Sequence, residues 1–235
     1  MKDSIIIVSG GMDSVYEGNI YLPYRVNGYE AADVGPVSAP SPGEDRWDQE
    51  DAGLYGPRGW SVEAGVWHEL ARCRDDLRST VIPAEYGHGP EGLIAADGTP
   101  QDDYTPFHDL GPRVARRLLE ILPAAQLQDR QNLAPTLGAL LRACARAGGR
   151  VRLSGYGIGP QRPDERVTVE GLWIADADLL ALEISEIHDE YCACLALWET
   201  VRTRYELDAE SAPDEVRFVY RHWKHGPLGT WLWWD

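Results

Sequence analysis

Between Asp178 and Leu207 the residues Leu180, Ile184, Ile187, Tyr191, Cys194, Trp198, Val201 and Tyr205 fall four and three positions apart without a break. That spacing marks one continuous apolar stripe on an α-helix. It predicts a single long C-terminal helix from about Asp178 to Leu207. Glu183, Glu186 and Glu190 fall off the stripe and read as its solvated side. A seam from Leu180 to Tyr205 would run about 38 Å at 1.5 Å per residue, more than a small hairpin can cover. Part of it should therefore pack on other helices, on a second copy of the chain or on a protein partner.

Around that helix the pattern is of alternating helices and strands. A helix is expected from Ser61, which can cap it, to Arg78, with Val62, Val66, Leu70, Cys73 and Leu77 at helical spacing. A short strand is expected over Gly92 to Ala96. Two more helices, Pro112 to Leu122 and Pro135 to Ala147, each carry a proline near the start, and Gly148-Gly149 supplies a left-handed cap to the second. "RVRLSGYGIGP" and "RVTVEGLWI" read as paired strands joined through Gln161 to Glu165. The end, "EVRFVYRHWKHGPLGTWLWWD", reads as a hairpin turning at Gly226 to Gly229.

These elements predict an α+β fold: a mixed or antiparallel sheet, about four helices, one long C-terminal helix and a closing Trp-rich hairpin. The body should span 59–235. Before it, 30–58 is rich in proline, glycine and carboxylates and reads as an acidic loop or linker. The aromatic, partly alternating "YEGNIYLPYRVNGY" within 1–29 reads as an extended N-terminal segment. "MKDSIII" stands apart in composition: Lys2 and Lys224 are the only lysines, and every other basic residue is arginine.

A formal net charge of −16 argues against a nucleic-acid backbone as partner, because such binding needs clustered Lys and Arg. It fits a basic protein partner, and it also keeps a chain in solution. No apolar stretch approaches the ~20 residues of a membrane span, and the first fifteen residues lack a secretory pattern, so a cytoplasmic protein is expected. The cysteines at 73, 144, 192 and 194 show no CxxC pair. Cys192 and Cys194 stand too close for an easy mutual bridge, and reduced thiols are the expectation.

Three local patterns bear on chemistry. In "IIIVSGGMDSV" the residues Ser9, Gly10, Gly11, Asp13 and Ser14 follow a hydrophobic run, Ile5 to Val8. Glycines let backbone N–H groups approach phosphate oxygens, and serine hydroxyls add donors. The stretch resembles the PP-loop, SGGxDS, of the N-type ATP pyrophosphatases, and looks especially like the start of the 7-cyano-7-deazaguanine synthases. The resemblance spans residues 1–15 and implies ATP with Mg²⁺, cleaved between the α and β phosphates to adenylate a substrate. The family continues into a helix, whereas "VYEGNIYLPYRVNGY" carries Gly18, Pro23 and Gly28 in a β-like pattern.

The second pattern is a candidate zinc site. His188 and Cys192 are i,i+4 on the expected helix, and His222 and His225 of "HWKH" could complete four ligands. The plainer alternative is a packed thiol and solvated histidines. The third is "GYGIGP", whose Gly155, Gly157 and Gly159 share one strand face and leave room for a close backbone or ligand. Trp223, Trp231, Trp233 and Trp234 crowd the last thirteen residues. In a strand Trp231 and Trp233 take one face, Leu232 and Trp234 the other. Core packing is the favoured reading, an interface the alternative.

No catalytic constellation stands out. The expected function is a soluble acidic binding or regulatory protein acting through protein contacts. A self-association or partner surface is expected at the Leu180–Tyr205 helix and the Trp-rich end. The alternative is a PP-loop enzyme that adenylates its substrate.

Overall fold

The computed structural model describes residues 52–78 (side chains as far as Cys73), 94–95, 97–185, 192–221 and 226–235. These all belong to one compact unit, Asp45–Asp235. The expected strand Ile5 to Val8, the segment to Tyr29 and most of the acidic loop lie outside the described residues. Here α1 is Trp60–Glu63, α2 Val66–Arg78, β1 Tyr104–Leu110, α3 Pro112–Ile121, α4 Ala124–Leu127 and α5 Leu137–Arg146. They are followed by β2 Val151–Ile158, β3 Arg166–Ile174, a 3₁₀ turn Leu179–Ala181, α6 Cys194–Tyr205, β4 Glu215–Tyr220 and β5 Leu228–Trp233.

The strands form one antiparallel sheet in the order β1-β2-β3-β5-β4. The fold is α+β, with a sheet of the antiparallel kind. The β2–β3 pair forms where the sequence placed it, because its partners are neighbours in the chain and its apolar positions alternate. β1 carries Pro106 and lies at the sheet's edge, where a missing N–H costs no ladder bond. A bulge sits on each side of β2, one between Phe107 and Leu110 and one opposite Ser154 and Gly155. Asp109 occupies the first of them at φ 57°.

The core joins helix stripes to one sheet face. Trp67 and Leu70 of α2, Val114 and Leu118 of α3, and Leu140, Leu141 and Cys144 of α5 meet Val151, Leu153, Val167, Val169, Leu172 and Ile174. α3 begins with Pro112 at its first position, and α5 is capped by the Thr136 hydroxyl, which accepts from Ala139 N at 3.2 Å. Gly148 and Gly149, at φ 60° and 90°, carry the chain out of α5 as expected.

Several expectations are corrected. The helix from Ser61 to Arg78 is two pieces, because Gly65 takes φ 75° and breaks it. Ser61 lies buried inside α1 rather than capping it. The short α4 between the two proline-led helices was not expected. Among the described residues there are six α-helices rather than four.

The long C-terminal helix is also corrected: among the described residues of that stretch only Cys194–Tyr205 is α-helical, as α6. After the 3₁₀ turn Leu182 is already extended at φ −81°, ψ 144°. Ala193 N then bonds Glu183 O at 2.8 Å, closing a loop ahead of α6. Ile187 and Tyr191 of the stripe lie outside the described residues. Leu179, off the stripe, is the buried residue of the turn, and Leu180 is half exposed. Within α6 the stripe is real and internal: Leu197, Trp198, Val201 and Tyr205 are buried, and Trp198 meets Trp234 edge-on at 5.5 Å. The hairpin is as expected in kind, but β5 already begins at Leu228.

Candidate functional site

β5 pairs with β3 only from Gly171 to Ile174, so among the described residues Arg166 to Val169 have β2 as their one strand neighbour. A cleft of about 370 Å³ opens there, lined by Leu54, Tyr55, Asp129, Arg130, Gln131, Asn132, Pro135, Leu137 and Arg166 to Val169. Three segments build it. Leu54 N donates to Pro163 O at 3.1 Å and holds the first wall beside the β2–β3 turn. The loop between α4 and α5 supplies the second wall, with Asn132 in a left-handed turn at φ 48°. Gln126, fully buried, donates from Nε2 to Val167 O at 2.9 Å and ties that wall to the third, β3.

The polar groups converge across these segments. The Tyr55 phenol donates to Asp129 Oδ2. Burial first, then that bond and the carboxylate's charge, raise the phenol above its ordinary range. Arg166 donates from Nη1 to Asp164 Oδ2 at 2.7 Å and from Nε to Thr168 Oγ1 at 3.3 Å. Its guanidinium lies 5.9 Å from the centre of the Tyr156 ring, and Tyr156 Oη donates to Gln131 Oε1 at 3.4 Å. The Arg162 guanidinium, assisted by Arg166, holds the Asp164 carboxyl below its usual range. Arg130 donates to Ala134 O and Asp208 O and lies 3.5 Å from Glu210.

A phenol held protonated beside a carboxylate is no base at neutral pH, and among the described residues lining the cleft no nucleophile–base pair converges. The buried carboxylates Glu165 and Asp176 are tied up inside the fold. Glu165 accepts from Gly59 N at 2.7 Å, Ser61 N at 2.9 Å and the Ser61 hydroxyl, which itself accepts from Trp67 Nε1 at 2.7 Å. Asp176 accepts from Arg150 at 2.9 Å, Arg204 at 2.6 Å and Tyr205 Oη at 2.8 Å.

Of the residues singled out in the sequence, Ser9, Gly10, Gly11, Asp13 and Ser14 lie outside the described residues, as do His188, His222 and His225. Cys192 is described and is joined to Cys194 in a disulfide. That bond corrects the expectation of reduced thiols there. Cys73 and Cys144 are buried and take part in no disulfide. Among the described residues no group of three or more His, Cys, Asp or Glu side chains is placed to hold a metal ion. No helix of the described residues is long and apolar enough to cross a membrane.

The protein's own groups fill the space over the glycine face of β2. A side chain at Gly157 would meet the Trp67 indole at 2.7 Å, and one at Gly159 would meet Pro100 at 2.9 Å. The approaching group is the protein's own tryptophan. Tyr55, Asp129 and Arg166 were missed because they lie far apart in sequence and share no local spacing. The turn residues of "QDRQN" were the sole signal, and turn residues alone do not mark a site. No protein-family model, no curated protein and no solved structure matches the chain.

Proposed function

We propose that this chain is an acidic binding or regulatory protein that works through protein contacts rather than catalysis. The observation that carries the reading is the division of its charged groups. The buried carboxylates Glu165 and Asp176 are consumed by internal hydrogen bonds, while the cleft beside β3 stays open and keeps an exposed carboxylate, Asp129. The net charge of −16 draws a basic partner toward such a surface. Leu54, 55% exposed, adds an apolar lip to the same cleft.

The resemblance of Ser9 to Ser14 to a PP-loop favours a second reading, an ATP-dependent enzyme. One pair of thermal scans separates the two. A ligand at a hundred times its dissociation constant adds about 2.7 kcal/mol and visibly raises Tm. The binding reading expects a rise with an arginine-rich peptide that fades as salt increases, and none with Mg-ATP. Pyrophosphate release from Mg-ATP, abolished in Asp13→Ala and Ser9→Ala, would replace it with the enzyme.

A further inference from the structure

Cys192 and Cys194 are joined across a single residue, Ala193. A bond that closes so small a ring takes little entropy from the unfolded chain, and it links no distant segments. The turn ahead of α6 is already tied by backbone: Ala193 N donates to Glu183 O at 2.8 Å, and Leu197 N to Ala193 O at 2.8 Å. Holding the fold together therefore gives no account of the pair. Its surroundings suit chemistry instead. Both cysteines are half-buried, and the next two residues, Leu195 and Ala196, are exposed, Leu195 at 65%. Cys194 is the first residue of α6, and no acidic residue stands in that helix's first turn. The N-cap, Ala193, has no side-chain group to bond the first-turn N–H groups. A thiolate released at Cys194 is thus met by the positive end of the helix.

We propose that Cys192–Cys194 is a thiol–disulfide exchange site that oxidises a dithiol carried by a protein partner. A thiolate of the partner attacks Sγ of Cys192. A bond forms between those two sulfurs, the Cys192–Cys194 bond breaks, and its electron pair leaves on Cys194. The partner's second thiolate then attacks its own bound sulfur, closes the partner's disulfide and frees Cys192. The two protons given up by the partner's thiols end on Cys192 and Cys194. One dithiol becomes a disulfide and one disulfide a dithiol, with no further oxidant. Leu195, exposed beside the pair, offers a protein partner an apolar contact that a free dithiol would not use. The pair is not among the residues lining the cleft beside β3, so this site stands independently of the binding reading.

The test treats the native full chain with reduced thioredoxin, a protein dithiol, and with dithiothreitol, a free one. Acid quenching, alkylation and peptide mass spectrometry then report which cysteines have become thiols. Both reagents should open the Cys192–Cys194 bond at a rate proportional to their concentration while Cys73 and Cys144 stay unlabelled. Oxidised glutathione should afterwards restore the bond. Opening only together with labelling of Cys73 and Cys144, or no restoration, would overturn the exchange site and leave a purely structural bond. Reduced glutathione, a monothiol, should be trapped on Cys192, and trapping on Cys194 would overturn the direction of attack. Ala193→Asp puts a carboxylate at the N-cap and should slow opening about threefold relative to Ala193→Asn, which caps without charge. Equal rates in those two variants would overturn the part given to the helix end. Leu195→Ser, at an exposed position, should slow thioredoxin and leave dithiothreitol unchanged. Thioredoxin reacting as fast with Leu195→Ser as with the parent would overturn a protein source.

Discussion

The indole of Trp173 occupies the space that a side chain at Gly229 would fill, and donates from Nε1 to Val219 O at 3.0 Å. The relationship is reciprocal. Trp231 lies in the same way over Gly171, so β3 and β5 each lend a tryptophan to the other's glycine. The register Trp173↔Trp231 makes this an interlock of neighbouring strands. A glycine weakens a strand by itself, and an aromatic laid over it restores the buried surface.

Gly229→Ala should therefore destabilise the protein by about 1–3 kcal/mol, because the indole must move and strain or lose its bond to Val219. Urea unfolding should show a lower midpoint with an unchanged slope. A variant as stable as the parent would mean that the Trp173 ring shifts without cost.

Trp198→Ala should cost about 3–5 kcal/mol, since Trp198 is buried within the core and meets Trp234. Light scattering should show no change in mass between parent and variant. Dissociation of an oligomer with stability unchanged would instead place this stripe at an interface.

Thiol counting checks the cysteines. Burial pushes the Cys144 thiol up to about 12, so it carries almost no thiolate at pH 8. Iodoacetamide should label neither Cys73 nor Cys144 in the native protein. Denaturant alone should expose two thiols, and denaturant with reductant all four. Four reactive thiols in denaturant without reductant would rule out the Cys192–Cys194 bond.

Burial, followed by the bond to Asp176, raises the Tyr205 phenol above its ordinary value of 10. The phenolate is the disfavoured form in the folded state, so above pH 10 the folded protein binds more protons than the unfolded one. Stability should thus be full below pH 10 and fall as pH rises past it. Absorbance at 295 nm should show phenol ionisation delayed until unfolding, and Tyr205→Phe should flatten the alkaline loss of stability. An unchanged alkaline limb in Tyr205→Phe would refute the assignment.

The parts of the fold legible in the sequence are those settled by near neighbours. Pro112 and Gly148 mark helix ends through their own backbone preferences, and the alternation from Val151 to Ile174 selects a hairpin before any distant contact exists. The long helix failed because spacing reports a stripe and not the hydrogen bonds beneath it. Leu182 turns extended, and a disulfide joins Cys192 to Cys194 where helical turns were expected. The cleft was illegible for a different reason. Tyr55, Asp129 and Arg166 come from three segments, and their meeting depends on where β5 stops. Gly157 lay between: the sequence signalled a close approach, but Trp67, ninety positions earlier, supplies it.

Glu165 gives the molecule an order of assembly. Its carboxylate gathers Gly59 and Ser61 across 104–106 positions of chain, and it stands one residue before β3. The β2–β3 hairpin closes a short loop and can form early, while the Glu165 clasp must wait for it and for the closure of a loop several times longer. The corner holding α1 and the Tyr55 wall is thus a late arrival in folding. Until it docks, the sheet and its helical layer stand without the Leu54–Tyr55 wall, so the cleft is completed only after the core.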